Sequence, residues 1–279
     1  MSKEGGRGPW ALGLALLALG VWWLLRQGVP EAPKLPPPPA ETPVPAATPA
    51  ALASPTVVAR GPRLAIVLDD WGYQSKPVAT LAELGILVTV SVLPHLPYSS
   101  KAAETGHAAG DEIILHCPMQ AQGKIKPEKG TLKAGMPAAE ARQLLESHWA
   151  AIPYVIGLNN HEGSKATEDA ALMAVVADFL KEKNGFFLDS VTTAKSVVPA
   201  AAKAAGIPWA ARRVFLDNDE KPEAIRAQLR RAVALAKKQG TCIAIGHPHA
   251  STLAVLQQDG PALASQGVIL VPISALLHF

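Results

Sequence analysis

From Arg63 onward, short runs of Val, Ile and Leu alternate with longer Ala-rich stretches whose apolar positions recur at helical spacing. The runs predict strands at 64–68, 86–93, 112–117, 155–158, 185–188, 214–216, 241–245 and 268–271. The stretches between them predict helices, among them 138–150, 167–183, 222–239 and 251–258. Pro222 suits a first helical turn and Gly240 suits a helix end. The strands are almost uniformly apolar, as parallel strands covered on both faces must be. Repeated βα units of this kind predict an α/β fold, either a barrel or an open doubly wound sheet. No glycine-rich phosphate loop and no strong internal repeat accompanies them.

Upstream the pattern differs. Residues 10–25 are apolar and uncharged, with Lys3 and Arg7 before them. Positive charge ahead of an apolar core is common to signal peptides and signal anchors. Bulky Trp22, Trp23, Leu24 and Leu25 run into Arg26 where a cleavage site would need small residues. Residues 1–27 therefore read as a cytoplasmic tip and an uncleaved inner-membrane anchor, with the rest of the chain in the periplasm. Cleavage near residues 51–54 is the alternative. Residues 28–62 are rich in Pro, Ala, Thr and Glu, and include Pro36, Pro37, Pro38 and Pro39. Such chain favours extended polyproline II and acts as a spacer, reaching on the order of 100 Å at about 3.1 Å per residue. Residues 63–279 form the folded domain.

A chain of 279 residues that is 49% hydrophobic and 18% charged builds a sizeable core, which excludes a disordered protein. The formal net charge of +3 offers no concentrated basic surface, so nucleic acid is not an expected partner. Cys117 and Cys242 each fall within a strand-like run and read as buried structural thiols. A disulfide or a reactive thiol is the other reading.

In α/β folds chemistry gathers at the carboxyl ends of strands. Here those ends carry Asp69 and Asp70; His95; His116; Asn159, Asn160 and His161; Asp189 and Ser190; Asp217, Asn218 and Asp219; and His247 with His249. His107, His148 and His278 sit at no strand end and read as surface or packing residues. Each member has a plainer reading. An aspartate pair is usually a turn or a helix cap, a lone histidine a satisfied core residue, and Asp217 to Asp219 a cap for the next helix. Their recurrence at one end of strand after strand carries the argument. One carboxylate with two imidazoles is a three-ligand set that holds a divalent cation and leaves a position open. A second carboxylate beside it supplies a general base, and a histidine across the site an acid. That combination hydrolyses amides and esters.

The stretches from Leu64 to Gly72 (LAIVLDDWG), Glu112 to Met119 (EIILHCPM) and Gly157 to Ser164 (GLNNHEGS) are similar to motifs of a known family, as are Gly185 to Ser190 (GFFLDS), Val214 to Asn218 (VFLDN) and Ala244 to His249 (AIGHPH). The chain from about Arg63 to its end resembles the divergent polysaccharide deacetylases, a distant branch of the NodB-like carbohydrate esterases. The resemblance implies a distorted (β/α) barrel of seven to eight mostly parallel strands. It implies Asp69 as base, Asp70 and His116 as metal ligands, and His247 as general acid. The second histidine of the family's His-xxx-His motif would fall at position 120, which is Gln120. His161 is the residue expected to replace it. Asp189 would orient His247 or contact substrate, and Asn160, Asp217 and His249 would also face substrate. Position 191, where a basic residue is expected, is Val191.

The reading reached is a metal-dependent hydrolase removing acyl groups, acetyl above all, from an envelope polysaccharide such as peptidoglycan. One divalent cation is expected; zinc suits the donors, and nickel, cobalt or manganese would fit as well. The alternative is a catalytically silent deacetylase-like domain that binds glycan or acts as a scaffold, as the loss of a histidine at position 120 would permit.

Overall fold

The first apolar run forms β1 (Arg63–Trp71), whose residues alternate between two environments. Leu64, Ile66 and Leu68 join one large buried cluster, whereas Ala65 and Val67 join a second, smaller one. The computed structural model describes residues 61–279, so the expected anchor and nearly all of the Pro-rich spacer lie outside the described residues. Among the described residues no helix is long and apolar enough to cross a membrane.

Eight further strands follow: β2 (Thr89–Val92), β3 (Glu112–Met119), β4 (Val155–Glu162), β5 (Phe186–Asp189), β6 (Trp209–Ala211), β7 (Val214–Phe215), β8 (Thr241–Gly246) and β9 (Ile269–Leu270). The helices are α1 (Ser75–Ala82), α2 (Ser99–Ala109), α3 (Ala138–Ala150), α4 (Ala170–Glu182), α5 (Val198–Ala205), α6 (Pro222–Gln239) and α7 (Ala250–Asp259). The strand order is β6-β5-β4-β3-β2-β1-β8-β7, with β9 paired beside β1, and the pairings between these strands are all parallel. Strands β6 and β7 stand at opposite ends of this order, yet only Arg212 and Arg213 separate them along the chain. Two residues span no more than about 10 Å between strand ends. The sheet must therefore curl until its edges nearly meet, giving a half-barrel with one seam that has no ladder across it.

Two layers follow from the two-residue period of the strands. The larger cluster lies between the outer face of the sheet and the helices; Leu64, Val90, Leu115, Val176 and Leu229 belong to it. The smaller fills the barrel with Ala65, Val67, Ile114, Phe186, Leu188, Ile243 and Ile245. Ile273 and Leu276, from the C-terminal segment, complete the filling. Cys117 and Cys242 are free thiols, buried, with burial raising both pKa values.

Several sequence expectations are corrected here. Among the described residues there are nine strands rather than seven or eight, the extra one being β6. Helices α1, α2 and α5 did not stand out in the apolar pattern. The helix expected from residue 167 begins at Ala170, because Asp169 accepts hydrogen bonds from the amides of Ala171 and Leu172 and caps it there.

Candidate active site

Continuing the inward-facing rows past the apolar filling leads to the site. Ala65 and Val67 lead to Asp69, Ile114 to His116, Phe186 and Leu188 to Ser190, and Ile243 and Ile245 to His247. A regular strand would send Asp70 to the other face. Instead the β1–β2 register slips between Leu68 and Trp71, where three steps on β1 answer two on β2. Asp70 sits in this bulge at φ 60°, a left-handed conformation that Asp tolerates better than most residues. Both carboxylates thereby reach one imidazole: His116 Nε2 is 3.0 Å from Asp70 Oδ1 and 3.7 Å from Asp69 Oδ2.

Strand β4 carries a second irregularity. Its register against β3 slips between Val155 and Leu158, after which His116 stands beside Asn159 and Pro118 beside His161. Asn159 and His161 thus face inward and Asn160 outward. His161 Nδ1 lies 2.9 Å from Asp70 Oδ1 and 3.2 Å from His116 Nε2.

Fully buried Asn159 organises the floor. Its Nδ2 donates to Asp69 Oδ1 at 2.8 Å and to Ser190 Oγ at 3.2 Å. Its Oδ1 accepts from Ser91 Oγ at 2.7 Å and lies 2.8 Å from His116 Nδ1. An ionised Asp69 can only accept, which fixes the amide's orientation, so His116 must present Nδ1–H to Asn159. Its Nε2 lone pair then points at Asp70 Oδ1, a buried atom with no well-formed hydrogen bond. Three lone-pair atoms thus converge within 3.2 Å of one another. Three ligands about 2.0–2.1 Å from a zinc-sized ion lie about 3.3 Å apart. The donors therefore fit a divalent cation, and a proton is the only other species that relieves them. In the protonated form, burial works against the charged His116, but Asp69 and Asp70 outweigh it and raise its pKa. Burial likewise opposes ionisation of Asp70, yet His116 and His161 hold it well below the usual carboxylate range.

Across the mouth stands His247. Its Nδ1 lies 2.9 Å from Asp217 Oδ1, and its amide donates to Asp217 Oδ2 at 2.6 Å. Thr252 Oγ1 donates to the same Oδ2 at 2.8 Å. Burial disfavours the imidazolium, but Asp217, reinforced by Asp69 and Asp70, raises the pKa to about 9.

The remaining expected residues land differently. Asp189 follows inward-facing Leu188 and so turns outward, accepting from Val191 N and Ser196 Oγ at 2.8 and 2.7 Å. It does not orient His247; Asp217 does. Asp217 is in turn buried and occupied by its donors, which removes it from substrate. Asn160 is used up as well, accepting from Ser190 N and donating to Glu162 O and Thr192 Oγ1. Of the four residues expected to face substrate, His249 alone is partly open at the mouth, 3.8 Å from Glu220 Oε1. Gln120 turns away, its Oε1 accepting from Ala134 N at 3.1 Å. His95 stands apart from the group, with Ser147 Oγ 3.3 Å from its Nε2 and the ring of His148 near by.

Two participants were given no role by the sequence. Asn159, noted only among the strand-end residues, is one. Arg212, in the seam, is the other: its Nε and Nη2 donate to the carbonyls of Ser190 and Val191 at 2.7 and 2.9 Å. Its guanidinium lies 3.7 Å over the Phe215 ring, which stacks in turn near His247. Val191, held from both sides, adopts φ 50°, a strained conformation for a β-branched residue. A cationic side chain does approach this turn, although it comes from the β6–β7 link and not from position 191.

Residues 66–277 match the model of the divergent polysaccharide deacetylase family, and the chain belongs to that family. It is 38% identical over 216 residues to the uncharacterized protein YibQ of Escherichia coli (strain K12), covering 77% of this chain and 67% of that one. An uncharacterized Haemophilus influenzae protein is 38% identical over 195 residues, covering 70% of each chain. Among solved structures, the uncharacterized protein ATU2773 from Agrobacterium tumefaciens C58 superposes with a TM-score of 0.75 at 23% identity, over 81% of this chain and 93% of that one. The last comparison supports the curled parallel α/β fold.

Proposed function

We infer that this chain is a cation-dependent hydrolase that removes acyl groups, acetyl above all, from an envelope polysaccharide, peptidoglycan being the nearest candidate. The observation that carries this is the convergence of Asp70 Oδ1, His116 Nε2 and His161 Nδ1 beside a second carboxylate. Zinc matches the two-nitrogen, one-oxygen set. Membership of the family supports a polysaccharide substrate, and the apolar segment 10–25 with its Pro-rich spacer supports action outside the cytoplasmic membrane.

Asp70, His116 and His161 would hold the ion, which when bound supplies Lewis acidity toward a water and an acyl oxygen. Asp69, with Oδ1 tied to Asn159, keeps Oδ2 free to take the proton of the attacking water. His247, charged at neutral pH, gives its proton to the departing amine or alcohol. Asp217 holds that ring at Nδ1 and leaves Nε2 to face the reaction.

Full-length protein with His161→Ala should lose the bound ion while keeping its circular dichroism spectrum. Asp69→Asn should keep the ion and lose at least about 100-fold in turnover on N-acetylglucosamine oligomers or peptidoglycan. Unchanged metal content in the first variant, or undiminished turnover in the second, would reject the assigned roles. No ion and no turnover in the wild type would leave the silent glycan-binding module as the better description.

A further inference from the structure

A second set of metal donors stands across the mouth from the first. Asp217, His247 and His249 each offer one ligand atom, and the three atoms lie within 4.8 Å of one another. They come from the end of β7 and from the turn between β8 and α7, so the backbone already presents them to one point. Asp217 is firmly held: Thr252 Oγ1 and the His247 amide both occupy Oδ2, leaving Oδ1 facing the imidazole of His247. The two rings are tilted by 48° with centroids 5.7 Å apart, so nitrogens on both can turn toward one ion. Glu220 Oε1, 3.8 Å from His249 Nε2, stands ready as a fourth donor or as the partner of the ring.

We propose that Asp217, His247 and His249 form a second divalent-cation site, which takes a zinc-like ion at the mouth and thereby silences His247 as an acid. Two imidazoles and a carboxylate select borderline ions such as Zn²⁺ over Mg²⁺ or Ca²⁺, which prefer all-oxygen shells. The ligand atoms around Asp70 already stand within 3.2 Å of one another, whereas the outer group must first give up the hydrogen bond between His247 Nδ1 and Asp217 Oδ1. The inner group therefore fills first and the outer one only at higher ion concentration. Binding requires an imidazole nitrogen with a free lone pair, so the ion displaces the proton carried by His247, and that proton leaves to solvent. Occupancy and catalysis are then mutually exclusive, which makes excess metal an inhibitor. That inhibition rests on the deacetylase reading; the site itself does not.

The test counts ions. Full-length protein in detergent, stripped with chelator, is dialysed against increasing Zn²⁺ and its bound metal measured by elemental analysis. Two equivalents are expected in the wild type, the second weaker, and one in His249→Ala, with an unchanged circular dichroism spectrum showing that the variant folds. Asp70→Asn should lose the inner equivalent and keep the outer one. A single wild-type equivalent that Asp70→Asn abolishes, or a second that survives His249→Ala, overturns the proposal. An outer equivalent that persists while Asp70→Asn changes nothing would support it and would instead sink the inner ligand assignment. On N-acetylglucosamine oligomers, inhibition by zinc beyond the first equivalent should vanish in His249→Ala.

Discussion

Asn159 shows how much of the site hangs on one neutral side chain. Its four partners are Ser91, His116, Asp69 and Ser190, and all are buried. Asn159→Leu would leave a buried carboxylate and a buried imidazole without their partners, a cost of about 2–4 kcal/mol. It would also free the His116 ring to turn. Denaturant unfolding should register the loss, and metal affinity should fall by about 10–100-fold, as it does when the outer partner of a ligating histidine is removed. The pairing of His247 with Asp217 makes a second residue-scale prediction, for protein stripped of metal. The folded-state pKa of His247 is raised from 6.5 to about 9, so the pair contributes stability that is fully present below pH 6.5 and is lost as pH rises through 9. Asp217→Asn should therefore cost about 2 kcal/mol more near pH 6 than near pH 10. Equal destabilisation at both pH values would refute the charge pairing. Much of this was legible beforehand: Asp69, Asp70, His116, His161 and His247 all stood out at strand ends in the chain. What could not be read was which member of the Asn159–Asn160 pair faces inward, because pairing between β3 and β4 decides it. Nor could Asp189 be told from Asp217 as the partner of His247, since that depends on the phase of β5 inside the barrel.

At the scale of elements, the two register slips do the work that an unbroken period of two would forbid. The β1 bulge turns consecutive aspartates to one site, and the β4 slip brings Asn159 and His161 into phase with His116. Gly157 lies within the second slip and pairs with Phe186 on β5. A Cβ there would stand only 2.6 Å from the Phe186 ring. Gly157→Ala should cost about 1–3 kcal/mol through overpacking, and adding Phe186→Leu should recover part of that loss. Strict additivity of the two changes, measured by denaturant melts, would show that the ring is not what excludes the methyl group. Helices α1, α2 and α5 escaped the apolar pattern for a different reason. They are short, at 8, 11 and 8 residues, so the apolar period has two or three turns at most in which to show. Strand β6, three residues after Pro208, is made by its neighbours: β5 on one side and His278 of the C-terminal segment on the other.

That last contact bears on the whole molecule. A curled sheet that does not close leaves β6 as an edge and leaves the base of its barrel open, both of which invite water or another chain. The C-terminal segment answers both needs. His278 exchanges backbone hydrogen bonds with Trp209 at 2.7 and 3.0 Å, covering the edge. Ile273 and Leu276 enter the barrel filling beside Ala65, Ile114 and Ile243. Ser274 N donates to Glu112 Oε2 at 3.0 Å, and Arg63 Nη1 reaches Ala275 O at 3.0 Å, fastening the plug to β3 and β1. Losing two buried aliphatic side chains at about 2–5 kcal/mol each would consume most of the 5–15 kcal/mol that holds a typical domain folded. A chain ending at Val271 should therefore accumulate as unfolded or aggregated protein, although every residue assigned to the site is still present. Removing Phe279 alone, which is 92% exposed, should change stability by no more than about 0.5 kcal/mol. Comparing the two truncations by thermal melting separates a structural plug from a dispensable tail. If the shorter chain melts cooperatively near the wild-type temperature, the barrel is held by its sheet and helices alone. If only the shorter chain fails, the site at one end of the barrel depends on a plug at the other, and its rigidity is a property of the entire curl.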